Sequence, residues 1–325
     1  MITDRDDILG HAVRWAEKDG IAALATVIET WGSAPRPAGS LLAASRAGTF
    51  VGSVSGGCVE RAVIEAAHEA MDDERHRVLS FGVANADAWA AGLACGGRIR
   101  VLVEPVQPGA ALAQLLGAVA HKRAVVRETD LDTGLQTLRF PEGDAAAATV
   151  LNRDQAGLSE DGRIFRNPFN PPLRLVLVGA VHLAEPLTHM AALAGYAVTI
   201  IDPRRAFARA ERFAGAALEI GWPAEILPDL ALDSRTALIT LTHDPKIDDD
   251  ALIAALPMPL FYLGALGSVR TQAARRQRLA LSGFEEAALA RIRGPVGLNI
   301  GARSPAQIAI SILAEMTAVQ CGRVA

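Results

Sequence analysis

Two cysteines set beside double glycines are the residues of this chain whose types and spacing could do chemistry. The segments read Gly52-Ser53-Val54-Ser55-Gly56-Gly57-Cys58-Val59-Glu60 and Gly92-Leu93-Ala94-Cys95-Gly96-Gly97. Glycine allows backbone torsions and close approaches that a Cβ forbids. Successive N–H groups in such turns can form a concavity for an anion. A thiol placed there can become a thiolate, the form that binds metals and attacks sulfur. Together the segments suggest a site for something metallic, sulfur-bearing or phosphorylated. The alternative is that each cysteine is a small apolar core residue. Cys321, the remaining cysteine, lies near the end of the chain and has no visible partner.

The elements that must position these residues follow from hydrophobic periodicity. Asp6 to Lys18 has the spacing of an amphipathic helix, and Ile21 to Ile28 reads as a buried strand. Glu29 to Arg36 is expected to be a loop. Leu41–Ala44 and Phe50–Val54 suggest a hairpin around Ala47-Gly48. A helix from Cys58 to Met71, a strand at Arg77–Phe81 and a half-buried strand at Arg98–Glu104 follow, so both cysteines fall at ends of elements. From Gly109 to about Asn167 the signal weakens to a helix at Ala110–His121 and short strands near Ala124–Arg127 and Gln136–Phe140. Asn167-Pro168-Phe169-Asn170-Pro171-Pro172 is the clearest punctuation, and two domains are expected, 1–168 and 172–325.

The second half alternates strand and helix: Leu173–Val178, Ala197–Ile201, Thr236–Leu241 and Leu260–Leu263 are strands of a doubly wound parallel sheet. Ligands of such sheets bind beyond the carboxyl ends of the strands. The residues collected on that rim are Gly179, His182, Asp202, Arg204, His243, Asp244, Gly267 and Ser268. Asp202 stands where a ribose-binding carboxylate would. The dinucleotide fingerprint keeps only Gly179 and the tolerated Ala184; Val181 replaces the glycine that lets a pyrophosphate approach the backbone, which counts against ordinary NAD(P) binding. Ser304-Pro305-Ala306-Gln307 is a capping box opening the last helix.

Composition narrows the classes. The chain has 325 residues, 50% hydrophobic and 21% charged, with a net charge of −4, so it is globular and lacks the basic excess of a nucleic-acid binder. Three cysteines without regular spacing argue against a disulfide framework and for a reducing compartment. Without a secretory signal or a membrane-length apolar run, the expected location is the cytoplasm, with no membrane partner.

On its motifs the chain resembles the XdhC/CoxI family, accessory proteins of xanthine dehydrogenase and related molybdenum hydroxylases. The matching segments are Gly32-Ser33-Ala34-Pro35-Arg36, Gly52 to Glu60, Cys95-Gly96-Gly97, Asp202-Pro203-Arg204, Thr242-His243-Asp244, Gly264-Ala265-Leu266-Gly267-Ser268 and Gly297-Leu298-Asn299-Ile300-Gly301-Ala302. Many relatives carry glycine where this chain has Val181. The resemblance implies an α/β protein, with a mixed N-terminal XdhC/CoxI-type domain before a Rossmann-like one. It also implies a chaperone that binds and protects molybdenum cofactor, as molybdopterin or its cytosine dinucleotide. Such a chaperone supports sulfuration by a cysteine desulfurase and inserts the cofactor into an apo molybdenum hydroxylase.

On that footing Cys58 and Cys95 are expected to contact the metal or its sulfur. The N–H groups around Gly56-Gly57 and Gly96-Gly97, with Ser55 beside them, would hold phosphate or oxo groups. Glu60 is either a hydrogen-bond partner of the cofactor or the first-turn acid of its helix. The Rossmann-like half would take the pterin's phosphate end, a cytosine dinucleotide extension or another nucleotide. A homodimer is the expected assembly. The rival readings are an NAD(P)-dependent oxidoreductase working from the C-terminal half and a docking scaffold that leaves the cysteines without a task.

Overall fold

Helix α1 (Asp4–Asp19) leads into strand β1 (Ala22–Trp31), whose first seven residues are all buried. That burial has a simple cause: alternate residues feed two cores, so both faces of the sheet are covered. Ala23, Ala25 and Val27 pack with Val63, Ala67 and Met71 of helix α2 (Glu60–Asp73). Ala22 and Leu24 pack with Leu9 and Ala12 of α1 and with Leu115 of helix α3 (Ala110–Ala120). The computed structural model describes residues 4–32, 36–57, 59–82 and 97–323; Cys58, Cys95, Gly96 and Ser33-Ala34-Pro35 lie outside them.

The other strands of this sheet are β2 (Leu41–Ser45), β3 (Phe50–Gly52), β4 (Arg77–Phe81) and β5 (Arg98–Val106). The order is β3-β2-β1-β5-β4, with every pairing antiparallel. Beyond it, β6 (Val125–Asp130), β7 (Gln136–Arg139), helix α4 (Ala145–Arg153), β8 (Gly157–Leu158) and β9 (Ile164–Phe169) complete the N-terminal half, the strands pairing as β7-β6-β9-β8.

Three local expectations change. Glu29–Trp31, expected in a loop, continues β1 past a bulge between Val27 and Glu29, paired to β5. Strand β5, expected half-buried, is buried from Val101 to Glu104, because Leu102 joins Ile28 and Phe165 on the face away from α2. Asn167 and Pro168, expected in the linker, belong to β9 opposite Arg127 and Val126. Strand β8 pairs only with Arg166 and Phe165, so Pro168 meets no ladder on that side and its missing N–H costs nothing there.

The chain divides into two compact units, 2–171 and 172–325. The second alternates β10 (Arg174–Val178), α5 (Ala184–Leu193), β11 (Ala197–Ile201), β12 (Ala217–Glu219), α6 (Pro223–Ile226), β13 (Thr236–Thr240), α7 (Pro245–Ala255), β14 (Tyr262–Ala265), α8 (Val269–Leu281), α9 (Glu286–Leu289), β15 (Ile292–Arg293) and α10 (Pro305–Gln320). All pairings are parallel and the order is β12-β11-β10-β13-β14-β15, the 3-2-1-4-5-6 order of a dinucleotide-binding sheet. Leu175, Leu177 and Ile239 face one core, with α5 and α10; Val176, Val178 and Leu238 face the other, with α7 and Leu279 of α8. Ser304 and Gln307 form the expected capping box at α10.

Candidate functional site

The turn before Cys58 is built around a single carboxylate. Glu60, the first residue of α2, folds back into the loop that precedes it. Its Oε1 accepts the N–H groups of Ser55 at 2.9 Å and Gly56 at 3.0 Å, with Val54 at 3.3 Å. Its Oε2 accepts the N–H of Gly57 at 2.8 Å. The hydroxyls of Ser53 and Ser55 donate at 2.6 and 2.5 Å. The two hydroxyls also accept, Ser53 from the Gly56 N–H and Ser55 from the Val59 N–H, which closes the turn on itself.

The glycines make this possible: Gly56 and Gly57 have φ of 78° and 117°, values a side chain resists. At Gly52, φ 86°, a Cβ would stand 2.4 Å from the Leu41 carbonyl oxygen. Burial alone would raise the Glu60 pKa, but the Ser53 and Ser55 hydroxyls and the loop amides outweigh it and hold the carboxyl at about 2. Glu60 has no cationic partner among the described residues, so hydrogen bonds alone keep it ionised.

The N–H groups of Gly56 and Gly57 are engaged by the protein's own carboxylate. Glu60 is a first-turn acid of its helix that also gathers the loop before it, a form the capping rules only hint at. Ser55 is buried inside the turn. Gly97 is buried immediately before β5, while the sulfur-bearing positions Cys58 and Cys95 lie outside the described residues. Among the described residues there is no cluster of histidine, cysteine and carboxylate side chains suited to a metal. Cys321 is exposed, just beyond α10.

The loops of the parallel sheet repeat the device with different electrostatics. Asp202, after β11, is fully buried. Its Oδ2 accepts the Ala180 N–H at 2.7 Å and Arg204 Nη2 at 2.7 Å; its Oδ1 accepts Arg204 N and Nε, both at 2.9 Å. Burial opposes ionisation here too, and the Arg204 guanidinium overcomes it, so the Asp202 pKa is lowered. Both Asp202 oxygens thus hold together the loops that frame them. Arg204 lies over the Phe207 ring at 4.4 Å.

After β13, Asp248 of α7 accepts the Thr242 hydroxyl at 2.7 Å and the N–H groups of Thr242 and His243 at 3.1 and 3.0 Å, with Arg275 Nη2 at 3.2 Å. Burial dominates at this carboxyl and pushes its pKa up, against Thr242 and Arg275. His243 is exposed in a left-handed conformation, and Asp244 caps α7 through the Lys246 N–H. His182 is exposed beside Glu185 at 3.7 Å. Gly267 has φ 146° and Ser268 caps α8. Further on, Glu315 of α10 accepts the Gly297 N–H at 2.9 Å and the Tyr262 hydroxyl.

The turn after β10 explains Val181. Its side chain packs against the core between the sheet, α5 and α10. A Cβ on Gly179, φ 114°, would stand 2.5 Å from Thr242 Cγ2, so the retained glycine serves contact between two strand ends.

Sequence reasoning missed the residues that hold these loops: Asp248, Arg275, Gln272 and Glu315. Gln272 Nε2 donates to the Ala265 carbonyl and its Oε1 accepts from Arg275, tying α8 to the end of β14. The available signal was polar residues on otherwise buried helix faces, four residues past a cap for Asp248. Also missed was a cleft of about 580 Å³ in the N-terminal unit, bordered by Ser53 of the carboxylate-centred turn and by Arg36.

A glycine turn gathered on a helix-borne glutamate stands in one unit and a parallel sheet of dinucleotide-binding order in the other; the chain belongs to the XdhC and CoxI family. The family's model matches residues 15–82, and the model described as the XdhC Rossmann domain matches residues 175–316. The chain is 30% identical, over 98% of its length and 90% of the relative's, to the molybdenum cofactor insertion chaperone PaoD of Escherichia coli (strain K12). It is 26% identical to a Bacillus subtilis (strain 168) protein described as a probable xanthine dehydrogenase subunit, over 91% of this chain and 92% of that protein. A crystal structure described as a xanthine dehydrogenase from Bacillus halodurans superposes with a TM-score of 0.79 at 25% identity, covering 99% of this chain and 97% of that one.

Proposed function

We propose that this protein is a chaperone for molybdenum cofactor, which it carries as cargo, and that Cys58 marks the reactive end of the carrying site. The supporting observation is the turn around Glu60: six donors converge on one carboxylate, fixing the backbone on either side of Cys58. Rigid support of a single reactive position is what a transfer site needs. The full-length similarity to the insertion chaperone PaoD supplies the class of cargo.

In this reading Cys58, with Cys95 as second sulfur, meets the metal or its sulfur ligand; thiolates suit such soft partners. The chain shields the cofactor, supports its sulfuration with a cysteine desulfurase and releases it to an apo molybdenum hydroxylase. The work proceeds in the cytoplasm, with a homodimer as the assembly. The protein's own residues supply position and exclusion of water, and Glu60 keeps the turn closed before cargo arrives. The C-terminal rim, its carboxylates already committed, serves as scaffold.

The test is retention of cargo. Wild type and Cys58→Ala are mixed anaerobically with molybdenum cofactor and desalted, and metal and pterin are counted. Retention by wild type and its loss in the variant supports the reading. Equal retention by wild type, Cys58→Ala and Cys95→Ala removes the cysteines from the site.

A further inference from the structure

The motif Gly32 to Arg36 has no task in the sequence reading, and the structure gives its last residue one. Arg36 borders the cleft of about 580 Å³ in the N-terminal unit, a size typical of small-molecule sites. Arg5, Ser40 and Ser53 line it too, with Pro37 and Ala156 as apolar surface. The acid in the lining is Asp154, whose Oδ1 accepts from Asn170 Nδ2 at 2.7 Å. Arg5 is part of the wall: its Nη2 donates to Asn167 Oδ1 at 2.5 Å and its guanidinium lies 4.4 Å over the Phe169 ring. Arg36 differs. It is exposed and has neither an ion pair nor a hydrogen bond among the described residues. Ser53 lines the same cleft and donates to Glu60, so the cleft abuts the turn that leads to Cys58.

We infer that this cleft, and not the glycine amides, takes the anionic end of the cargo, with Arg36 as its charge partner. The inference rests on the chaperone reading and names the part of the cargo that the N-terminal unit would recognise: the phosphate of a phosphorylated heterocycle. The amides of Gly56 and Gly57 are filled from within, which leaves an unpaired guanidinium beside the turn as the matching cation. Its planar fork suits two oxygens of one phosphate. Pro37 and Ala156 offer the flat ring an apolar surface, and the ring's other end is left to approach the cysteine turn.

The experiment uses the full chain as wild type, Arg36→Lys and Arg36→Glu, with thermal melting to show that this exposed position leaves the fold intact. Two ligands are titrated: molybdenum cofactor under anaerobic conditions, and a metal-free phosphate monoester of pterin followed by pterin fluorescence. The expected result is a loss of at least about tenfold in affinity for both ligands in Arg36→Glu, the scale of one charge-assisted hydrogen bond. A smaller loss is expected in Arg36→Lys, and weak binding of unphosphorylated pterin by wild type. Undiminished binding of both ligands by Arg36→Glu overturns the inference. Failure of wild type to hold the cofactor, with tight and Arg36-dependent binding of pterin phosphate, overturns the chaperone reading and leaves the cleft assignment standing. If wild type binds neither ligand, the assignment falls as well.

Discussion

The turn before Cys58 and the rim of the parallel sheet are both glycine-bearing loops held by buried carboxylates, yet they are balanced differently. Glu60 serves one turn and is kept ionised by neutral donors alone. Asp202 and Asp248 each tie loop amides to a guanidinium, from Arg204 and Arg275. The first arrangement stabilises a local shape and leaves its surroundings free of committed cations. The second locks strand ends together through ion pairs. A glycine-rich motif therefore says where amides converge; whether a ligand or a side chain fills them depends on the carboxylates that follow in the chain.

Substitution of Glu60 should give the largest effect. Glu60→Ala leaves four amides and two hydroxyls without their acceptor and is expected to destabilise the N-terminal unit by about 3 kcal/mol or more. Hydrogen exchange should accelerate at Gly56 and Gly57 while the amides of Thr242 and His243 stay protected. Equal loosening of both regions would dissolve the contrast between them.

Arg204→Ala should cost the C-terminal unit about 2 kcal/mol by leaving Asp202 buried without its partner, somewhat less than a fully enclosed pair because Arg204 is partly exposed. Cofactor retention should be unchanged, and a fall in retention would return the rim to the binding site. Acid separates the regions in another way. The Glu60 pKa is depressed from 4.5 to about 2, so its stabilisation is complete above about pH 4.5 and is lost as pH falls towards 2. On the rim the lowered pKa of Asp202 acts in the same direction, but the raised pKa of Asp248 favours the folded state at low pH and disfavours it as pH rises through that value. Partial cancellation follows, and exchange at Gly56 and Gly57 should rise earlier on acidification than exchange at Thr242 and His243. The smallest effect is expected for Val181→Gly, about 1 kcal/mol of lost packing and backbone restraint. This variant should acquire no binding of NADP, measured by calorimetry, since Thr242 and Asp202 still occupy the crevice.

Much of this architecture is legible in the chain itself. The apolar runs from Leu173 and Ala197 point to a parallel sheet, and Ser304 with Gln307 announces the last helix. The stretch from Gly109 to Asn167 is harder, because its strands are short and partly exposed and one of them contains Pro168. The cysteine turn is recognisable as a place, but its contents are not. Glu60 sits only three residues beyond Gly57, and a first-turn acid ordinarily faces solvent or its own helix end. Nothing in the periodicity states that this one turns inward to collect the loop. Asp248 and Glu315 are hidden for a related reason: a polar residue on a buried helix face has meaning only once the loop opposite it is known.

A turn that carries its own carboxylate acceptor draws its hydrogen bonds from the chain itself. If cargo is seated beside Cys58, loading requires no ordering of this segment, and departure of the cargo leaves its shape as it was. Each round of delivery would then begin from the same geometry as the last, with the rate of exchange set by the contacts to the cargo and by the acceptor, and none of the cycle spent on rebuilding the carrier.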